Sequence, residues 1–239
     1  MNIALLTAGG TGNRMGQDIP KQFMCIDNKP VIIYTMQAFQ YSSDIDAIAV
    51  VCLPGWEVIL QAYANQYNIT KLKWIFAGGN SNQESIHNGL IGLSQARCQP
   101  QDIVLVHDGV RPLVSAQIIA DNIATCRQYG YAVTGLTCKE AIMELRGDTI
   151  HTIDIPRERL VRTQTPHTYP LGTLLDAHTR AQSAHINSTV ASCTLMGELG
   201  IEDQHLVRGS EKNGLKLTSP EDVEIFKAML HTNPEPWMK

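Results

Sequence analysis

Apolar positions along this chain alternate between two patterns. Short aliphatic runs at Ile3–Leu6, Ile45–Leu53, Leu72–Phe76, Ile103–Val106 and Ala132–Leu136 have strand length and the continuous hydrophobicity of strands covered on both faces. Between them apolar residues recur at helical spacing. Pro30–Phe39 follows the turn Asp27-Asn28-Lys29 and opens with a proline, whose missing N–H costs nothing in a first helical turn. Ser81-Asn82-Gln83-Glu84 has the form of a capping box ahead of Ile86, Leu90 and Leu93. Ser115 precedes Ile118, Ile119, Ile123 and Cys126, and Gly130 supplies a C-terminal stop. Strands alternating with helices predict βαβ units and an α/β fold with a doubly wound, mostly parallel sheet.

The rhythm breaks after Leu136. Ala141–Leu145 and Thr149–Ile155 flank Arg146-Gly147-Asp148, a hairpin signal. Such a hairpin either reaches toward a partner subunit or adds an antiparallel edge to the main sheet, and the sequence leaves both open. Helices are expected at Pro170–Ala184 and Ser188–Leu199, then a strand pair at His205–Arg208 and Gly214–Thr218. A last helix begins at Ser219-Pro220-Glu221-Asp222. Without repeats, low-complexity tracts or a linker, residues 1–239 read as one domain, with 138–160 as a protruding arm.

Composition narrows the class. Of 239 residues, 44% are hydrophobic and 18% charged, as in a soluble globular protein. A net charge of −4 provides no broad basic face, so nucleic-acid binding is not expected and an anionic ligand needs local cations. No apolar run approaches the ~18–20 residues of a membrane span. Met1 leads directly into the first strand rather than into a signal peptide, and the six cysteines are scattered without a C-x-x-C pair. A cytoplasmic protein that binds no membrane is expected.

The first strand runs into Thr7-Ala8-Gly9-Gly10-Thr11-Gly12-Asn13-Arg14-Met15-Gly16, with Pro20-Lys21-Gln22-Phe23 just beyond. Successive backbone N–H groups in such a loop, unobstructed by Cβ atoms, suit a phosphate, and Arg14 and Lys21 add two cations. The loop fits neither G-x-x-x-x-G-K-[ST] nor G-x-G-x-x-G/A, since Met15 stands at the third position of the latter. It predicts a nucleoside triphosphate site of another kind. Ligands of open α/β sheets sit beyond the carboxyl ends of the strands, where His107-Asp108-Gly109-Val110-Arg111-Pro112 and Ala77-Gly78-Gly79-Asn80-Ser81 also fall. Asp108 is suited to hold Mg²⁺ through oxygen. Without the loop it reads as a turn residue, and His107 reads as shaping that turn. Arg157 and Arg159 precede Thr163-Gln164-Thr165-Pro166, and Lys216 stands alone among apolar neighbours, either facing solvent or facing the ligand.

Taken together, Ala8-Gly9-Gly10-Thr11-Gly12-x-Arg14-Met15-Gly16, Pro20-Lys21-Gln22-Phe23, Val106-His107-Asp108-x-x-Arg111-Pro112, Arg157, Gln164-Thr165-Pro166 and Lys216-Leu217-Thr218 resemble the cytidylyltransferases of polyol phosphates. These include the 2-C-methyl-D-erythritol 4-phosphate enzyme of isoprenoid synthesis and the ribitol 5-phosphate enzyme of teichoic-acid and capsule synthesis. The resemblance implies a Rossmann-like nucleotidyltransferase sheet and a homodimer joined by the hairpin arm. CTP would be the substrate and Mg²⁺ the cofactor. Ala8, Gly9, Gly10, Thr11 and Gly12 would wrap the CTP phosphates, and Arg14 and Lys21 would neutralise the α-phosphate and the leaving pyrophosphate. Gly79, Asn80 and Ser85 would read cytosine, Gly109 would lie against the ribose, Asp108 would bind the metal and Lys216 would touch the α-phosphate. Arg111, Thr165 and a partner's Arg157 would receive the acceptor's phosphate.

The chain departs from the family pattern at Asn82, Glu140-Ala141, His167 and Thr189, mostly on the acceptor side. Gly-Gly-Thr-Gly in the loop, Val110 and Ile155-Pro156 lean toward the ribitol-phosphate type. The isoprenoid enzyme and, from another class, a non-catalytic nucleotide-binding protein are the alternatives.

Overall fold

The computed structural model describes residues 1–10, 19–187 and 189–232. Its centre is a seven-stranded sheet. The chain forms β1 (Asn2–Ala8), the short pair β2 (Cys25–Ile26) and β3 (Lys29–Pro30), α1 (Val31–Tyr41), β4 (Ala47–Cys52), α2 (Glu57–Gln66), β5 (Leu72–Ala77), α3 (Asn82–Gln95), β6 (Ile103–Asp108), α4 (Ala116–Tyr129) and β7 (Ala132–Thr137). There follow β8 (Met143–Arg146), β9 (Thr149–Thr152), β10 (Val161–Pro170), α5 (Leu171–Ser183), α6 (Ser192–Glu198), β11 (His205–Arg208), α7 (Glu211–Gly214) and α8 (Pro220–Thr232). The sheet order is β11-β7-β10-β6-β1-β4-β5. β1 pairs in parallel with both β4 and β6, β4 with β5, and β11 with β7, whereas β10 runs antiparallel between β6 and β7.

The period-two alternation of each strand sorts its side chains between two helical layers. Ala4, Leu6 and Ala8 of β1 join α1, α2 and α4 on one face, through Ile33, Leu60 and Ile119 among others. Ile3 and Leu5 meet α3, α5 and α6 on the other, through Leu90, Leu174 and Met196. A third cluster fastens α8 to α1, where Tyr34 meets Phe226 edge-on at 5.2 Å between ring centroids. The expected α/β, doubly wound, mostly parallel sheet is what forms. Among the described residues no helix is long and apolar enough to cross a membrane.

Four local expectations are corrected. β10 was not anticipated. Its sequence is polar and contains Pro166, which cannot donate to a ladder, but the pairing with β7 shifts register between Thr163 and His167, so no donor is missed there. Gly214–Thr218 is not a strand. Ser210 accepts a hydrogen bond from the Asn213 N–H at 3.0 Å and turns 211–214 into a helical turn. The residues after it hold to the sheet end through the Leu217 N–H, which donates to the Val110 carbonyl at 2.9 Å. The helix expected from Ser188 starts at Ser192, and Ser188 itself lies outside the described residues. Pro30 precedes α1 as its cap instead of opening the first turn. The hairpin is a separate two-stranded sheet of β8 and β9, so it is not an added edge of the main sheet. Every residue of the two strands is exposed. Its base closes where the Cys138 N–H donates to the Leu160 carbonyl at 2.9 Å.

Candidate functional site

Three strand ends and one turn make the walls of a cavity of about 590 Å³, a size that suits a nucleotide. The first wall is the loop after β1. Gln22, buried in the single helical turn Lys21–Phe23, donates through Nε2 to the carbonyls of Ala8 and Gly10 at 2.8 and 2.9 Å. The start of the glycine loop is thereby pinned, and Lys21 on the same turn lines the cavity with Ala8, Gly9 and Gly10. Thr11, Gly12 and Arg14 lie outside the described residues.

The second wall is the turn between β5 and α3. Gly78 donates to the Cys52 carbonyl at 2.7 Å. A Cβ on Gly78 would lie 3.3 Å from the Gly9 Cα and 3.0 Å from that carbonyl, so the two glycine loops touch backbone to backbone. Ser85 Oγ accepts from the Gly79 N–H at 3.0 Å, and Ser81 Oγ accepts from the Glu84 N–H at 3.0 Å. The capping box is completed differently from the sequence pattern: Glu84 Oε2 accepts from the Asn80 N–H at 2.8 Å. Gly79, Asn80 and Ser85 line the same cavity.

The third wall is Asp108 at the end of β6. Lys216 Nζ lies 3.1 Å from each of its carboxylate oxygens, and Arg111 reaches Oδ2 at 3.3 Å through both Nε and a terminal nitrogen. Burial pushes the Asp108 carboxyl up, but Lys216 and Arg111 outweigh it and hold the group below the ordinary carboxylate range. Lys216 faces the cavity because Leu217, its neighbour in extended chain, is buried against α8. Arg111 is itself buried and donates further to the carbonyls of Asn213 and Gly214 at 3.2 and 2.7 Å. It thus ties Asp108 to the turn at 213–214. Gly109 does not line the cavity; a Cβ there would strike Ile32 of α1 at 2.7 Å and the Thr7 carbonyl at 2.9 Å. His107 Nε2 meets the Arg111 carbonyl at 2.9 Å, which gives it the turn-shaping part expected.

Asp108, Lys216 and Asn82 also border a second cavity of about 120 Å³, which Arg111, Thr165 and His167 line as well. The Asp108 N–H donates to Thr165 Oγ1 at 3.2 Å. Behind Thr165 lies a polar cluster that sequence reasoning missed. Asn213 Nδ2 donates to Gln164 Oε1 and to the Thr165 carbonyl at 2.9 and 3.1 Å, and Gln164 Nε2 donates to the Ser210 carbonyl at 3.0 Å. Neither residue carries a charge or belongs to a spacing that marks a buried polar anchor, although Gln164 belongs to the motif Gln164-Thr165-Pro166. Arg157 stands apart from both cavities. It is exposed at the foot of the arm, where it donates to the Lys139 carbonyl at 2.9 Å. Among the described residues no three His, Cys, Asp or Glu side chains gather as a metal cluster. The single carboxylate of Asp108 suits a hard cation of the Mg²⁺ type, which takes one or two protein carboxylates and completes its shell with substrate phosphates and water.

Over residues 2–232 the chain matches the profile of the 2-C-methyl-D-erythritol 4-phosphate cytidylyltransferase family, IspD. The chain belongs to this cytidylyltransferase family. It is 40% identical over 232 residues to a ribitol-5-phosphate cytidylyltransferase of Lacticaseibacillus paracasei, which spans 96% of this chain and 98% of that protein. A ribitol-5-phosphate cytidylyltransferase of Vibrio parahaemolyticus is 38% identical over 97% of both chains. A 2-C-methyl-D-erythritol 4-phosphate cytidylyltransferase of Clostridium botulinum is 34% identical over 96% of this chain and 97% of that one. Among solved structures, the 2-C-methyl-D-erythritol 4-phosphate cytidylyltransferase of Thermus thermophilus superposes with a TM-score of 0.75 at 25% identity, covering 97% of this chain and all (100%) of that one.

Proposed function

We propose that this cytidylyltransferase transfers CMP from CTP to ribitol 5-phosphate or a closely related polyol phosphate, releasing pyrophosphate and forming a CDP-polyol. The observation that carries the reading is the junction of the two cavities. A nucleotide-sized chamber and a smaller polar one meet at Asp108 and Lys216, the arrangement needed to bring an acceptor phosphate up to an α-phosphorus. The relatives with ribitol 5-phosphate in their names, at 38–40% identity, favour that acceptor. The 34% identity to relatives named for 2-C-methyl-D-erythritol 4-phosphate keeps that compound as the second candidate.

In the proposed reaction an oxygen of the acceptor phosphate attacks the α-phosphorus of CTP, and the bond to the pyrophosphate oxygen breaks. The acceptor phosphate is already ionised near neutral pH, so no general base is required. Catalysis then rests on positioning and on cations placed where negative charge spreads. The loop N–H groups and Lys21, with Arg14, would hold the triphosphate, Gly79, Asn80 and Ser85 would hold the base, and Lys216 would sit at the α-phosphate. Asp108 would hold Mg²⁺, which would supply charge neutralisation between the phosphates. We further propose a homodimer in which the arm carries Arg157 into the partner's acceptor cavity. Its support is that Arg157 lines neither cavity of its own chain and stands exposed just after a hairpin whose strands are exposed throughout.

Pyrophosphate release from CTP and Mg²⁺ across a panel of polyol phosphates tests the reading. Ribitol 5-phosphate is expected to be turned over with the highest kcat/KM. Binding of CTP without turnover of any panel member would reject it.

A further inference from the structure

The smaller cavity holds an anomaly that neither the family roles nor the fold explains. His167 lies on β10, opposite Val106 of β6 in the register, and so on the sheet face that α3, α5 and α6 otherwise cover with apolar side chains. It is 2% exposed, and its Nε2 has no hydrogen-bond partner in the protein. The Oγ of Ser192, at the first turn of α6, is equally buried and equally without a partner. Both residues line the cavity that begins at Asp108. A buried polar atom left unsatisfied costs of the order of 1–3 kcal/mol, and two bordering one cavity mark a place where a polar ligand completes the bonding.

Resting on the reading of the protein as a polyol-phosphate cytidylyltransferase, we propose that His167 and Ser192 are the acceptor-specificity residues, bonding hydroxyls of the polyol chain while its phosphate lies at Asp108 and Lys216. The other ring nitrogen of His167 is engaged by the backbone of Gln164, and burial holds the ring neutral, so Nε2 presents a lone pair that accepts a substrate O–H. The Ser192 hydroxyl rotates to donate or accept. The segment that brings Ser192 to the cavity is tied down at Thr189, whose N–H and Oγ1 both donate to Gln83 Oε1 at 2.8 and 3.1 Å. The recognised group is thus a hydroxyl of the polyol chain, because a site built to bond a hydroxyl rejects an analogue lacking it far better than an apolar site selects between shapes.

The test compares wild type, His167→Phe, His167→Gln and Ser192→Ala on ribitol 5-phosphate and its singly deoxygenated analogues. Wild type is expected to lose about 10- to 100-fold in kcat/KM on each of two analogues. His167→Phe should lose a similar factor on ribitol 5-phosphate itself and no longer distinguish one of these analogues, with the KM for CTP unchanged. His167→Gln, which keeps an acceptor oxygen, should retain part of the discrimination, and Ser192→Ala should abolish the discrimination against a second analogue that lacks a different hydroxyl. Discrimination unchanged in all three variants overturns the inference. Should His167→Phe fail to fold, the Gln and Ala variants carry the comparison. A wild-type enzyme that uses no polyol phosphate rejects the proposed function, and this inference with it. One that uses ribitol 5-phosphate but ignores every deletion overturns this inference alone.

Discussion

Asp108 shows how one residue holds two duties at the same atoms. Its carboxylate is the group proposed for the metal, yet two cations already stand against it, and they differ in surroundings. Arg111 is buried and linked onward to the Asn213 and Gly214 carbonyls, whereas the Lys216 side chain is 41% exposed. Exposed ion pairs are worth little, about 0–1 kcal/mol, and removing one partner of a buried pair costs about 3–5 kcal/mol. Lys216→Ala is therefore expected to leave thermal unfolding nearly where it was while cutting turnover by roughly 10²–10³. Asp108→Asn should lose turnover too, and should lower the melting temperature by several degrees because Arg111 keeps its buried charge without its counter-ion. Calorimetry on the two variants separates these effects, and equal destabilisation would contradict the division of labour. Lys21→Ala, on the opposite wall, is expected to reduce kcat at least ~100-fold with little loss of stability. The residues that carry charge or glycine on this wall were legible in the sequence because their chemistry is unusual at strand ends. Gln22, Gln164 and Asn213 were not, since nothing in a sequence separates a buried, fully bonded amide from a solvated one.

At the scale of elements, α3 decides how accurately the second wall is set. Its N-terminus carries Ser81 and Ser85, and its middle approaches the sheet through glycine. A Cβ on Gly89 would lie 2.7 Å from Val51 Cγ2 and 2.9 Å from Leu5 Cδ1, inside contact distance of two strands. The helix can approach that closely only without a side chain at this position. Gly89→Leu is expected to overpack the face at a cost of about 1–3 kcal/mol and to raise the KM for CTP by displacing Ser85. A variant that melts lower but binds CTP with unchanged affinity would show that the wall is set elsewhere. The helix was readable from its apolar spacing and Ser81. The strand β10, which carries Thr165 and His167, was not readable, because β6 and β7 pair with its second half on both sides and bury most of it regardless of its polar composition. The reverse holds at Gly214–Thr218, whose apolar residues predict a strand that does not form. A serine cap coils its first residue into a helical turn, and the remainder is held by separate bonds to Lys212, Val110 and Asp222. Local pattern was sufficient for the helices and for the continuously apolar strands, and insufficient for a polar strand that forms only because neighbours on both sides pair with it.

For the molecule as a whole, two expected behaviours come from the way its parts are joined. Burial, before any other influence, holds His107, His167 and His178 at about 4, below the ~6.5 of an unfolded histidine. Between these values the unfolded chain binds more protons, so this contribution is fully present above about pH 6.5 and is lost progressively as pH falls toward 4. The melting temperature should decline over that interval, and His178→Gln, away from both cavities, should shallow the decline. The second behaviour concerns the arm. If Arg157 serves the partner's site, then Arg157→Ala and Lys216→Ala damage every site of their own homodimers but meet differently in a mixed dimer. There, one site lacks both groups and the other keeps both, so subunit exchange between the two inactive proteins should restore activity to about one quarter of wild type when exchange is random. The same mixture without exchange, held by crosslinked homodimers, should stay inactive. If each arginine serves its own protomer, no mixture of the two variants creates an intact site, and activity stays absent however long the subunits exchange.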